Sequence, residues 1–370
     1  MIIFQREIEA KIRNLLFKSG MVIILGPRQS GKTTLSKKII GSFGNEGAYF
    51  NCEFDEVRKY FVFGEPDKLF ELVKGKKIVV FDEAQTILNI GKILKVFYDT
   101  YPEIQIIATG SSSFDLANKI KEPLTGRAFE FLLLPLSIKE ISLTKKISKE
   151  DLYEYMRLGT YPAVVAATNV LEKEEAIKKI ATNYLYKDVF LFESIRNPKV
   201  FEDLLKLLAH QVGSMVSVNE LAQSLGVTRT TINRYLYLLE QAYILKRVYS
   251  FSNNPRSELK KAFKVFFLDI GVRNVLVDIA GTLPTRSDRG AIFENFFVSE
   301  KMKAGTLVTF SPQIMFWRTR TGLEIDVIEK SGKDVVAYEC KWQKQGVSFK
   351  VFLKKYPDAK TFVVSPEDLL

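Results

Sequence analysis

Gly26-Pro27-Arg28-Gln29-Ser30-Gly31-Lys32-Thr33 is the stretch on which the fold turns. It spells G-x-x-x-x-G-K-T, follows the apolar run Met21-Val22-Ile23-Ile24-Leu25, and precedes a helix-compatible segment, Thr34 to Ile40. Strand, glycine loop and helix in that order predict a phosphate-binding loop. Gly26 and Gly31 let the backbone curl so that several N–H groups point at one spot, and the helix start adds partial positive charge there. The expected ligand is ATP, lined by Gly26, Pro27, Arg28, Gln29, Ser30, Gly31, Lys32, Thr33 and Thr34. Lys32 should reach the β- and γ-phosphates, and the Thr33 hydroxyl should hold Mg²⁺.

A second stretch supports the first. Lys77-Ile78-Val79-Val80-Phe81-Asp82-Glu83-Ala84-Gln85 is an apolar strand ending in adjacent carboxylates. Asp82 can hold Mg²⁺ through its water shell. Glu83 can orient a water against the γ-phosphate, which favours hydrolysis over binding alone. The plainer alternative is a helix start whose dipole the two acids complement. Ile104 to Ser112 reads as another buried strand ending in hydroxyls, from which Thr109 or Ser111 can sense the γ-phosphate. Leu124-Thr125-Gly126-Arg127 precedes the run Phe129 to Leu134, and Arg127 there is either an arginine finger for a neighbouring copy or a surface residue at a helix end.

These residues together resemble the AAA-type ATPases of bacteria and archaea over roughly residues 1–140. The resemblance implies ATP hydrolysis coupled to movement, often in a homo-oligomer. The P-R-Q-S-G-K-T form and Gly159-Thr160-Tyr161-Pro162 resemble a subgroup carrying a restriction-endonuclease-like carboxyl-terminal domain of unknown function.

Bulk properties narrow the field. A chain of 370 residues is long for one core, and its 46% apolar residues suffice for several. No run approaches the ~18 apolar residues of a membrane span, and the charged start, Met1 to Arg13, is unlike a signal peptide. Two distant cysteines, Cys52 and Cys340, argue against a disulfide framework or zinc site and fit a reducing cytoplasm. The lone histidine, His210, leaves little room for hydrolase triads and is expected to be structural. The net charge of +11 is compatible with a polyanionic partner, though lysine-rich surfaces also serve solubility.

The fold class expected is α/β: a P-loop parallel sheet over 1–140, a helical lid over 141–198, a winged helix-turn-helix over 199–263 and a restriction-endonuclease-like domain over 264–370. In the third segment, Val218 to Leu225 reads as a helix, Gly226-Val227 as a turn, Thr228 to Glu240 as a second helix and Ala242 to Val248 as a strand. Ile232, Leu236 and Leu239 share one helix face; Thr230, Asn233, Arg234 and Tyr237 share the other, where they suit a major groove. Residues 199–264 hold ten Lys+Arg against five Asp+Glu. Winged helices also serve as packing modules, so DNA contact is one of two uses.

The last segment carries a second set of chemistry. A helix offering Glu294, three antiparallel strands, a helix and a final strand are expected. Strand period puts Glu339 and Lys341 on one face, with Asp326 arriving from the neighbouring strand. Asp326 and Glu339 would hold Mg²⁺ or Mn²⁺, Glu294 would complete the shell, and Lys341 would stabilise phosphate charge or help deprotonate water. This matches the D…E-x-K pattern of the nuclease superfamily, except that Ile325 stands where a proline is usual. The leading function is an ATPase coupled to DNA binding and processing. The alternatives are a nucleotide-controlled DNA-binding regulator and a protein-interaction switch, each with an inactive nuclease-like domain.

Overall fold

The computed structural model describes all residues except 1, 19, 112–123, 125, 191–194, 196, 252–262 and 278–280, with backbone alone at 183–190. Ser112 and Thr125 of the quoted patterns lie outside the described residues. Two compact units emerge, one of residues 1–135 with 241–243 and one of the remainder.

The first unit is a parallel sheet of five strands, β1 (Met21–Leu25), β2 (Gly47–Asn51), β3 (Ile78–Asp82), β4 (Gln105–Gly110) and β5 (Ala128–Leu132). Their order is β2-β3-β4-β1-β5, with every pairing parallel. β1, β3 and β4 are buried along their whole length, as continuous apolar runs in a two-faced parallel sheet must be. Helices Lys32–Gly41, Pro66–Val73 and Ile90–Thr100 connect the strands. One face is filled by Val79, Phe81, Leu94, Phe97 and Ile106. Phe61 meets Phe81 edge-on, ring centroids 5.0 Å apart. β1 sends the chain past β4 and β3 to β2, whereas β4 sends it past β1 to β5, so the two crossovers run in opposite directions. That opens a crevice at the carboxyl ends of the strands.

In the second unit the helix Lys149–Leu158 starts in a capping box, Ser148 with Asp151, and ends at Gly159. Gly159 has φ +80°, and a Cβ there would lie 2.0 Å from Asp269 Oδ1. The close approach lets Asp269 accept hydrogen bonds from the backbone N–H groups of Thr160 (2.8 Å) and Gly271 (2.9 Å), tying this turn to the start of helix Ile270–Val277. Tyr161 is buried and Pro162 opens the next helix, Pro162–Ala166. The Gly159-Thr160-Tyr161-Pro162 stretch is therefore a packing joint between helices.

Helices Val218–Ser224 and Arg229–Gln241 follow, joined through Gly226 at φ +64°. A small antiparallel sheet, β6 (Met215–Val216), β7 (Leu245–Tyr249) and β8 (Phe263–Phe267), has the order β6-β8-β7. β7 starts three residues later than its apolar run predicts, because Tyr243 sits at φ +57° and breaks the extended backbone. Ile232, Leu236 and Leu239 are buried, and Thr230, Asn233, Arg234 and Tyr237 are exposed, as their helical spacing requires.

The chain ends in helix Arg289–Gly305 and a sheet of β9 (Gln313–Arg318), β10 (Glu324–Ser331), β11 (Asp334–Cys340) and β12 (Lys360–Val364). β9, β10 and β11 are antiparallel neighbours; β12 lies parallel to β11 after the helix Lys350–Lys355. Trp317, Ile325, Ile328, Ala337 and Phe352 form the core of one face.

Asp288, just before helix Arg289–Gly305, binds two buried guanidiniums. Arg273 Nη1 lies 2.7 Å and Arg286 Nη2 2.8 Å from its Oδ2. Burial works to raise the Asp288 carboxyl, but the two arginines outweigh it and hold it at about 2. Its contribution to stability is therefore present above about pH 4, the ordinary carboxyl range, and lost as pH falls towards 2. Asp288→Asn is expected to cost about 3 kcal/mol in urea unfolding at pH 7, because two buried cations lose their partner. The difference from wild type should shrink below pH 4.

Candidate functional site

The phosphate loop leaves β1 at the crevice. Gly26 has φ +149°, and a Cβ there would meet the Leu133 carbonyl oxygen at 2.1 Å. Gln29 and Gly31 also adopt positive φ, 60° and 100°. These three residues curl the loop as the spacing predicts. Thr33 and Thr34 lie in the first turn of helix Lys32–Gly41. Lys32 is buried, and its Nζ donates to the carbonyls of Gly26 (2.9 Å) and Pro27 (2.8 Å). Ser30 is fully buried with its hydroxyl unsatisfied, so the loop presents an unused polar group. Arg28 is half-buried beside it.

Asp82 ends β3 as a hub for three hydroxyls. Thr33 Oγ1 donates to its Oδ2 at 2.7 Å, and Tyr49 from β2 donates to the same oxygen at 2.6 Å. Thr109 at the end of β4 donates to Oδ1 and accepts from the Glu83 backbone N–H at 3.1 Å. Burial and the Asp82 carboxylate push the Tyr49 phenol well above its usual range, so it remains a donor. Burial, then the charges of Asp82 and Glu83, push the Cys52 thiol up to about 12, which makes it inert.

Glu83 adopts φ +53°, an uncommon conformation for a non-glycine residue and one that recurs at functional sites. Gln85 Nε2 donates to Glu83 Oε2 and, at 3.2 Å, to Ser111 Oγ. Asp82, Glu83, Thr33, Thr109 and Ser111 thus converge where the loop is. A hydroxyl and a carboxylate 2.7 Å apart are the hard oxygen donors that Mg²⁺ prefers, and Thr33 with Asp82 would hold it.

Arg127 lies elsewhere. It precedes β5, whose register pairs Met21 with Ala128 and Leu25 with Leu132. At ~3.3 Å per residue, Arg127 sits more than roughly 13 Å from the phosphate end of its own sheet. It forms an exposed ion pair with Asp99, Nε to Oδ1 2.7 Å.

Tyr49, Gln85 and Arg6 escaped the sequence reading. Arg6 is buried, and its guanidinium donates to the carbonyls of Ser30 (2.7 Å) and Leu134 (2.6 Å), bracing the loop from behind. Gln85 was visible in the motif; Tyr49 and Arg6 carry no local signal.

The second unit brings the carboxyl-terminal residues together. Asp326 Oδ2 accepts from the Cys340 backbone N–H at 2.8 Å, and Lys341 Nζ lies 2.8 Å from Glu339 Oε1. Glu339 is 8% exposed, and its Oε2 has no partner. Glu294, from helix Arg289–Gly305, lies near Asp326 and binds Lys264 Nζ at 2.9 Å; Glu324 binds the same ammonium at 2.6 Å. Burial pushes the Glu294 carboxyl up to about 8 despite the Lys264 charge. Burial also raises Asp326, and burial with the Asp326 charge raises Glu339. Burial works to lower Lys341, but Glu339 and Asp326 outweigh it and keep the ammonium charged. The expectation of a three-carboxylate metal shell meets a different geometry: among the described residues no group of three His, Cys, Asp or Glu is placed to hold a metal ion. The third carboxylate, Glu294, is spent on Lys264. Both cysteines are free and buried. No described helix is long and apolar enough to cross a membrane.

Sheet order, curled loop and hydroxyl–carboxylate hub define a P-loop nucleotide-binding fold. Comparison with known families agrees: residues 18–142 match the model of an AAA domain. Residues 149–283 and 289–369 match two domains of unknown function, DUF8612 and DUF4143. An uncharacterised protein of Mycobacterium tuberculosis is 29% identical over 339 residues, covering 90% of this chain and 73% of the relative. One from Methanocaldococcus jannaschii is 26% identical over 383 residues, covering 97% and 82%. A Pif1 helicase structure from Candida albicans aligns at 16% identity over 45% of this chain and 46% of the helicase, with a TM-score of 0.26.

Proposed function

We propose that this protein binds ATP with Mg²⁺, hydrolyses it, and uses the cycle to act on DNA in the cytoplasm. The carrying observation is the hub at Asp82, where Thr33, Tyr49 and Thr109 meet one carboxylate beside Glu83. Bound Mg²⁺ would neutralise charge on the β- and γ-phosphates. The loop amides and Lys32 bind those phosphates, and Glu83, steadied by Gln85, orients the attacking water and accepts its proton. Thr109 or Ser111 reads the γ-phosphate. Arg127 acts only on a neighbouring copy, since its own phosphates lie at the far end of the sheet.

Support for DNA comes from the second unit. The two helices around Gly226 and the sheet β6-β8-β7 support a winged-helix reading, with Thr230, Asn233, Arg234 and Tyr237 exposed on one face of the second helix. In this reading residues 141–198 serve as a lid and 264–370 as a nuclease-like domain. The test is ATPase activity of the purified chain with and without duplex DNA, alongside DNA binding across a salt series. Affinity should fall linearly on a log–log scale with salt, and Arg234→Ala should weaken it while leaving DNA-free hydrolysis unchanged. Salt-independent or absent DNA binding with intact hydrolysis would favour a switch that acts on another protein.

Metal-dependent phosphodiester cleavage is the second reading, favoured by the buried, unpartnered Glu339 Oε2 beside Asp326. Those two residues would hold the metal, whose role is to activate water and screen the phosphate. Lys341, kept protonated by its neighbours, stabilises phosphate charge and is poorly suited to abstract a proton.

A further inference from the structure

Lys264 is the anomaly of the second unit. It stands within the apolar run Phe263-Lys264-Val265-Phe266-Phe267 of β8, is 1% exposed, and passes Phe316, whose ring centroid is 5.4 Å from Nζ. An aliphatic residue would pack that position at no electrostatic cost, whereas a buried ammonium costs several kcal/mol unless well paired. It is well paired, between Glu294 at 2.9 Å and Glu324 at 2.6 Å. Burial works to lower it, but the two carboxylates outweigh burial and keep it charged. Glu294 is walled in from behind, since a Cβ on Gly213 (φ +73°) would stand 3.0 Å from its Oε2.

The ammonium thus occupies the position from which Glu294 would serve a metal. Asp326 feels the Lys264 charge and Glu339 feels that of Asp326, while Lys341 holds the Glu339 Oε1. A second cation entering this cluster meets the Lys264 charge in a buried setting, where like charges repel strongly. We propose that Lys264 is a resident cation that locks the cluster, so that a divalent metal binds at Asp326 and Glu339 only when Lys264 is withdrawn or removed. The lock rests on the reading of Asp326 and Glu339 as metal ligands. Because Lys264 rides on β8, a shift of that strand is the natural way to release it.

The test is titration of the full-length protein with Mn²⁺ in the absence of nucleotide, with free ion followed by electron paramagnetic resonance. Lys264→Met is expected to gain one site, about tenfold or more tighter than anything in wild type, and the site should vanish in Lys264→Met with Asp326→Asn. Lys264→Arg, which keeps the charge, should behave as wild type. If Lys264→Met does not fold by circular dichroism, Lys264→Gln takes its place. Equal, Asp326-dependent affinity in wild type and the neutral variant overturns the lock and leaves the metal reading standing. No Asp326-dependent Mn²⁺ binding in either overturns both.

Discussion

Glu83→Gln is expected to bind ATP as wild type does and to lose turnover by about 10²–10⁴-fold, the usual worth of a positioned general base. The substitution is nearly isosteric, so the left-handed backbone at φ +53° and the bond from Thr109 to its N–H are retained. What disappears is the carboxylate able to take a proton. Gln85, which donates to Glu83 Oε2, can still donate to the amide oxygen, so the side chain stays in place. Measured kcat should fall while the nucleotide dissociation constant moves little. An unchanged kcat would remove Glu83 from the reaction and leave Asp82 and the loop as a binding device.

Lys32→Ala has the opposite signature. The buried ammonium has the length and charge that suit the β- and γ-phosphates. Losing its charge-assisted hydrogen bonds is expected to cost roughly 3 kcal/mol, or about a hundredfold in ATP affinity. The Gly26 and Pro27 carbonyls it bonds also lose a donor, so the loop itself should loosen. Affinity measured with a fluorescent ATP analogue separates the two variants: Lys32→Ala fails at binding, Glu83→Gln after it. Wild-type affinity in Lys32→Ala would mean that the phosphates do not lie in this loop.

The glycine loop and the strand-end carboxylates were readable because each is contiguous in sequence. Gly26 to Thr33 and Ile78 to Glu83 are each one strand and its exit, and strand burial of this kind leaves an unbroken apolar run. Tyr49 was not readable. It reaches Asp82 only because β2 lies beside β3, and no local pattern states which strands are neighbours. Arg6 is farther still, bonding to a carbonyl 128 residues away. Arg127 shows the same limit in reverse: its place before the last strand was legible, but which end of the sheet that is follows only from β5 running parallel to β1.

In the second unit the strand period correctly put Glu339 and Lys341 side by side. The ammonium in this cluster was not legible, for a physical reason. A lysine inside an apolar strand is invisible to periodicity, and Glu294 was assigned to metal without knowledge of the ammonium that faces it. The strand after the second helix also begins late, because Tyr243 adopts a positive φ that its residue type does not announce. Asp288 and Arg286 are near neighbours in sequence, but Arg273 joins them from a separate helix.

Titration calorimetry of the wild-type chain with Mg²⁺ and a non-hydrolysable ATP analogue bears most directly on the phosphate loop. One molecule bound per chain, with heat lost in Lys32→Ala, is the predicted result. Folded protein that gives no heat and no binding would contradict it.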